Sequence, residues 1–552
     1  MCITAMSLAH AQTPVFDWAR SAWGTGNEQP AGIAADAAGN TYVAGNFDSN
    51  TDFDPGPGVL VLEPQGLSDI YLLKLDPGGS LVWAKQVGGS GLAFARSLSL
   101  DAAGNILIAG SFVDTCDFDP GPGAFKLVSD NNRADVFVLK LDAGGSLSWA
   151  KSMGGPEYDE ANAVSPDPAG NIFVSGIFTG TADFDPGPGN TDLVSAGGRD
   201  IFVCKLNSSG DLVWARGVGG SEDERSLGRA TDGAGQVYTT GTFKGTGDFD
   251  PGAGSYPLSA GSEQVFLCKL DASGSFSWAH SMDVSTAMGM KAGNDGYLYL
   301  CGYFLGKIDI DPGPGKAEIK STGGYDIYIL KLDTAGKYEW ARSIGGSDDD
   351  IGSALVLDDK NNIYITGSFQ NTVDFDPGPG TEMLSCNDDF FILRLDAEGK
   401  FNWAKNAVGL STGTGIAMNK DLDVFVCGWF LDKTDFDPDS GVFDLSPAGD
   451  GSTTDLFVHK MKQLKTGIAP LTPEGQMLVY PNPGTGVFSV TNPAPGLELE
   501  LEITDGAGRI IKKQSCADNP IRIDLRGQAE GLYLLRATSG ESTIGRQLIL
   551  KQ

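Results

Sequence analysis

The chain has 552 residues, 77 of them Gly, with 41% hydrophobic residues, a formal charge of −32 and a pI near 4.3. Such acidity disfavours nucleic acid and anionic membrane surfaces as partners, and favours cations, basic partners or plain solubility. No run of 18 apolar residues occurs, so no transmembrane segment is expected.

Residues 1–11 form a short apolar stretch that ends in Ala9-His10-Ala11, an A-x-A cleavage pattern without a basic segment before it. This predicts a truncated signal peptide. From residue 12 a repeat sets in. Seven near-copies of Asp-Phe-Asp-Pro-Gly-Pro-Gly begin at Asp52, Asp117, Asp183, Asp248, Asp309, Asp374 and Asp435, spaced by 65, 66, 65, 61, 65 and 61 residues. A period of that size marks a repeat architecture, with room for one small sheet in each copy.

Residues 31–86 show one copy in full. Ala31 to Asp36 is a strand of small residues, and Thr41 to Gly45 a second strand after the Ala37-Ala38-Gly39-Asn40 turn. The heptapeptide follows, then a third strand from Asp69 to Leu75, the Asp76-Pro77-Gly78-Gly79 turn, and a fourth from Leu81 to Lys85. Four β-rich runs separated by Gly, Asp and Pro predict an antiparallel meander. The fourth strand carries Trp18, Trp83, Trp149, Trp214, Trp278, Trp340 and Trp403, each followed by Ala and then, in six of the seven, by Lys or Arg, an exposed position expected at an outer edge. The small-residue strand belongs innermost, where strands converge on an axis. The chain opens with a Trp strand, Phe16 to Arg20, and its repeats end with a third strand, Asp455 to Met461. The expected fold is therefore all-β: a seven-bladed β-propeller over residues 12–463 whose last sheet is completed by the N-terminal strand. A linker, 464–475, and a small antiparallel β-sandwich, 476–552, follow. The eight Cys lack a disulfide pattern and read as buried thiols.

In such a meander the short turns share one end and the two long connections the other. The heptapeptide alone would bring Asp52, Asp54, Asp117, Asp119, Asp183, Asp185, Asp248, Asp250, Asp309, Asp311, Asp374, Asp376, Asp435 and Asp437 to that end, around the channel mouth. The loop after Trp adds Glu157, Asp159, Glu160, Glu222, Asp223, Glu224, Asp348, Asp349 and Asp350. Two readings of the motif stand side by side. Paired carboxylates with turn carbonyls could bind Ca²⁺ as a cofactor; or each Asp caps its own turn, with Pro presetting φ and Gly taking φ > 0. The central Phe is expected as a core plug. The turns of copies four and seven, which depart after the first Pro, are expected to differ.

Little points to an enzyme. Of three His, His10 lies in the leader, His280 replaces the exposed Lys or Arg, and His459 falls at a core position. Gly409-Leu410-Ser411-Thr412-Gly413 matches a nucleophile elbow but lacks the strand-turn-helix setting. Carboxylates repeated in every copy suit architecture or binding better than one unique site. A hydrolase or lyase with carboxylate catalysis stays open.

The Gly-Asn-Ile-Tyr-Val-x-Gly, Asp-Ile-Tyr-x-Leu-Lys-Leu-Asp and Trp-Ala-Lys patterns resemble the bacterial SBBP-type β-propeller repeat family, and the inner strand resembles NHL-type repeats. That implies fold more than function. Near the C-terminus, Tyr480-Pro481-Asn482-Pro483, Asp505-Gly506-Ala507-Gly508-Arg509 and Gly531-Leu532-Tyr533 closely resemble the C-terminal sorting domain of Bacteroidetes type IX secretion substrates. The resemblance implies passage to the periplasm and across the outer membrane, with the type IX machinery as partner of residues 476–552. The reading is a secreted or cell-surface scaffold that binds an extracellular protein or glycan, with an extracellular polysaccharide hydrolase or lyase second and a structural surface-layer role third.

Overall fold

The computed structural model describes residues 13–439, 441–448, 452–463, 479–480, 485–490, 499–505, 509–516, 520–539 and 542–550. The leader at 1–11 and the linker at 464–475 lie outside them. The chain divides into two compact units, residues 1–463 and 464–552, and it is all-β.

In the first unit the unit of construction is a four-strand antiparallel meander. In the first copy its strands are Glu28–Ala35, Thr41–Phe47, Asp69–Leu75 and Leu81–Gly89, paired in that order. The same order recurs in the copies whose first strands are Leu92–Leu100, Glu160–Pro166, Arg225–Thr231, Thr286–Ala292 and Ile351–Leu357. The last copy runs Ser411–Met418, Val424–Phe430 and Asp455–Lys462, and its fourth strand is Val15–Ser21 from the other end of the chain. Ala19 lies opposite His459 there, and the Glu28 N–H donates to Thr454 O at 2.8 Å.

First strands touch one another in chain order, and Ser411–Met418 touches Glu28–Ala35. The apolar core lies between neighbouring meanders: Tyr42, Ile70 and Leu72 of one pack against Ile108, Phe112 and Phe137 of the next. Each first strand has a one-residue bulge opposite a second-strand glycine. At Gly110 a Cβ would stand 1.9 Å from Phe94 O, so only glycine lets the bulged strand approach.

The Trp strand was expected to turn its basic residue to solvent, and the structure corrects this. Arg20 Nε donates to Gly79 O, Arg216 Nε to Gly274 O and Arg342 Nε to Gly399 O, at 2.9, 2.9 and 3.0 Å. The indole N–H of Trp18 reaches Pro77 O at 3.0 Å, and that of Trp214 reaches Ala272 O at 3.2 Å. Each is the short turn of the next copy. Arg is planar and rigid enough to satisfy two carbonyls of a turn at once, so the outer strand hooks its neighbour instead of only facing water. The thiols of Cys116, Cys204, Cys268, Cys301, Cys386 and Cys427 are free.

In the second unit, the described strands form two sheets. One holds Val479–Tyr480, Val487–Val490 and Ile521–Asp524; the other holds Ile510–Cys516, Leu499–Asp505, Gly531–Ser539 and Ser542–Leu550. Phe488, Val490, Ile521 and Ile523 of the first sheet and Leu501, Ile503, Tyr533 and Leu535 of the second share one core. Asp505 accepts from the Arg509 backbone N–H at 2.9 Å, closing the turn between two of these strands.

Candidate functional site

The heptapeptide carboxylates hold their own backbone. In every copy the first Asp accepts through Oδ1 from the N–H of the second Asp, at 2.9–3.3 Å. The same oxygen accepts from the N–H eight residues on, at 2.7–2.8 Å. The second Asp accepts from the N–H two residues on, for example Gly56 and Gly121 at 2.8 Å. Copies four and seven keep this pattern through Gly252 and Asp439, against the expectation that their turns differ. None of the described motif glycines has positive φ, which corrects the turn reading. The second glycine is required for room instead: a Cβ on Gly123 would stand 2.2 Å from Asp119 Oδ2, and one on Gly58 2.1 Å from Asp54 Oδ2.

The position of the motif is also corrected. Its first Asp joins a ladder to the previous copy's Trp-strand tail, as in Trp23–Asp52, Gly88–Asp117 and Gly219–Asp248. The buried Phe53, Phe118, Phe184, Phe249, Phe375 and Phe436, with Ile310 in the fifth copy, plug the core as expected. The Asp-Pro-Gly-Pro turn then runs down the outside. Asp54 to Pro57 line a groove with Arg20 and with Gly79 to Ala84, and Asp376 to Gly380 line one with Arg342 and Gly399 to Phe401. The second carboxylates of these two copies therefore lie along the outer flank between adjacent Trp strands, not around a channel mouth, because the apolar residue between the two Asp enters the core. Among the described residues no group of three or more His, Cys, Asp or Glu gathers as a metal-ligand set.

The loop after Trp divides its acids. Glu157, Glu222, Asp223 and Asp349 are exposed, while Asp159, Glu160, Glu224 and Asp350 are buried. Three of the buried four, with Glu28, stand beside the Asp that opens the preceding third strand. Glu28 is placed against Asp455, Asp159 against Asp135, Glu224 against Asp200 and Asp350 against Asp326. Desolvation pushes Glu28 and Glu224 up to about 8 and Asp135 and Asp350 up to about 7, with the neighbouring carboxylate adding to it. Both members of each pair are buried.

Ser411 is not a nucleophile in waiting. Its Oγ donates to Gly409 O at 2.8 Å and accepts from the Phe390 N–H at 3.2 Å. His459 is 1% exposed with Nε2 3.0 Å from Phe436 O, and burial lowers it to about 4. Between the third and fourth copies, at the long-loop end, lies an accessible cleft of mixed charge. Ser221, Glu222 and Asp223 line it with Arg225, Lys244 and Glu263. Sequence reasoning marked its Glu222 and Asp223, but missed Arg225, Lys244 and Glu263, which come from segments outside the acidic loop.

Residues 478–551 match the secretion system C-terminal sorting domain. The protein is thus exported through type IX secretion, to the cell surface or the medium. No helix among the described residues is long and apolar enough to cross a membrane. The chain is 21% identical over 498 residues to an uncharacterized WD repeat-containing protein, L264, of Acanthamoeba polyphaga mimivirus, covering 75% of this chain and 36% of that one. It is 22% identical over 542 residues to the regulatory protein FlaEY of Caulobacter vibrioides, covering 91% and 52%. It is 25% identical over 277 residues to beta-agarase A of Zobellia galactanivorans, covering 47% and 46%. The chain thus spans from about a third to about half the length of these curated relatives. Among solved structures, Sqt1 from Chaetomium thermophilum aligns with a TM-score of 0.36 at 11% identity, covering 82% of this chain and all of that one.

Proposed function

We propose that residues 12–463 form a seven-bladed β-propeller of SBBP type, latched by its N-terminal strand, which acts outside the cell as a binding scaffold. A signal peptide at 1–11, a linker at 464–475 and a sorting module at 476–552 complete the reading. The observation that carries it is the cycle of first-strand contacts closed by the pairing of Val15–Ser21 with Asp455–Lys462. A rigid frame with its long loops at one end is the usual setting for a binding surface. The contact region is the cleft of Glu222, Asp223, Arg225, Lys244 and Glu263 with the exposed loop acids around it. Mixed charge there suits a polar partner, a glycan or a protein. The motif Asp residues act as turn formers in this reading, with Ca²⁺ as an added ligand only where their outward lone pairs allow.

Similarity to an agarase supports galactans as the first glycans to try, and keeps a polysaccharide hydrolase as the second reading. The paired carboxylates do not favour it, since their burial denies them a substrate. The test is a glycan and extracellular-protein array, agar-type galactans included, probed with the full chain and with Glu222→Ala/Asp223→Ala/Glu263→Ala. Binding by the full chain that the triple variant loses is expected. Binding unchanged in the variant removes this surface, and turnover of an array galactan replaces the scaffold reading with the enzyme.

A further inference from the structure

Two positions beyond its bulge, each first strand carries a side chain that pairs with the second strand close to where first strands meet. In six copies it is Ile33, Leu98, Val164, Met290, Leu355 or Ile416, and its cross-strand partner is aliphatic. The fourth copy breaks the rule, with Arg229 opposite Thr239. Arg229 is 9% exposed, and its Nε and Nη1 are enclosed without an acceptor. No carboxylate among the described residues pairs with it.

The neighbours of Arg229 are equally unprovided for. Thr239 Oγ1, Ser226 Oγ and Ser175 Oγ are all buried with no hydrogen-bond partner. Ser226 pairs with Gly241 and Arg229 with Thr239, so by strand alternation all three side chains lie on one side of the sheet. That side is shared by Val237, which packs in the core between the third and fourth copies. Ser175 of the third copy alternates onto the same side as Phe173, which packs in that same core, so it faces them across the junction. One guanidinium and three hydroxyls thus border an apolar junction, all able to donate, with no acceptor offered to them. A buried charge and buried donors left unpaired are costly, and nature pairs them.

We propose that this junction holds a small monovalent anion of the halide class, bound by the Arg229 guanidinium and the hydroxyls of Ser175, Ser226 and Thr239. Enclosure favours a small ion, which loses less in shedding its water than a dianionic oxyanion does. Lys291, on the neighbouring first strand, is close enough to feel the charge of Arg229 and adds to the positive potential there. Desolvation and then the charge of Arg229 lower its pKa. Arg229 itself, lowered by burial to about 9, stays charged at neutral pH and needs a counter-charge. In a chain of formal charge −32 an anion enters only where local donors overcome the general field. The site is separate from the proposed ligand cleft, and stands or falls without it.

The test is thermal unfolding of the full chain at constant ionic strength, with sodium gluconate replaced stepwise by chloride or bromide, beside bromide-soaked crystals read by anomalous scattering. A saturable rise in Tm with halide is expected, with an anomalous peak beside Arg229. Arg229→Met, which installs the residue the fifth copy already carries, should abolish the halide dependence. A Tm indifferent to halide, a halide effect that survives in Arg229→Met, or a junction containing water without anomalous signal would each overturn the proposal. The anomalous measurement needs no variant, so a misfolded Arg229→Met does not shelter it.

Discussion

The buried carboxyls of Glu28 and Asp455 are neighbours across the seam where the first copy meets the last, and each keeps one oxygen, Oε2 and Oδ1, without a hydrogen-bond partner. Desolvation raises both carboxyls, and the charge of Asp455 raises Glu28 further, so the pair holds on to a proton that an exposed pair would release. Glu224 repeats the arrangement against Asp200, at about 8 and 6.

These raised values set the pH dependence of stability. The folded chain keeps protons on Glu28 and Glu224 that the unfolded chain releases near pH 4.5, so their contribution is complete below the unfolded pKa and is lost as pH rises through about 8. Each pKa unit corresponds to about 1.4 kcal/mol. Tm should therefore fall between pH 5 and pH 9, and Glu28→Gln with Glu224→Gln, which keep a permanent donor, should flatten the decline. A calorimetric Tm that rises over that range would contradict the pairing.

Removing Val15–Ser21 leaves the third strand of the last copy, Asp455–Lys462, with an open edge and uncovers His459 and Phe425, against which Phe16 and Trp18 pack. The truncated chain should melt at a markedly lower temperature and self-associate, since an unpaired edge is a template for other strands. Scanning calorimetry and light scattering on the shortened protein check this; an unchanged melt argues against the latch.

Gly123→Ala should destabilise by roughly 1–3 kcal/mol, the range for a side chain forced into occupied space. The new Cβ meets Asp119 Oδ2, whose partner oxygen is held by the Gly121 N–H. Asp119→Ser vacates the space, so the double variant should lose less than the sum of the singles. Urea denaturation of the four proteins measures that coupling; strict additivity would show the two residues are independent.

Each first Asp of the motif spends Oδ1 on two backbone donors, so Ca²⁺ would compete with the turn for the same carboxylates. The melt is expected to stay within a degree or so when millimolar Ca²⁺ or a chelator is added, where a ligand at 100 times its Kd gives about 2.7 kcal/mol. A clear Ca²⁺-dependent rise that Asp54→Asn and Asp119→Asn reduce would restore the cation reading.

Much of the fold was legible in the sequence because it is written many times over. The spacing of the Trp and Asp-x-Asp motifs and the phase of Phe16 to Arg20 against Asp455 to Met461 anticipate the strand order and the terminal pairing. The direction taken by the Asp-Pro-Gly-Pro turn was not legible. The core position of Phe118 could be read from that string, but nothing in it says that Asp119 must then return along the outer strand. Arg20 read as facing water because its acceptor, Gly79 O, is a backbone atom of another copy. Glu224 read as one more loop acid because burial against Asp200 depends on the packing of two copies. Arg229 carried a signal that was available, a lone charged residue in an otherwise aliphatic row, but the row becomes visible only once the bulge fixes the register.

Borrowing the final sheet's outer strand from the beginning of the chain defers completion. Until the last copy is made, Val15–Ser21 has no sheet to join and the first meander still lacks the neighbour on its open side. Only arrival of Asp455–Lys462 supplies the missing partner, so commitment to the finished architecture waits for nearly the entire first unit, and a prematurely terminated product is left recognisable by its bare ends.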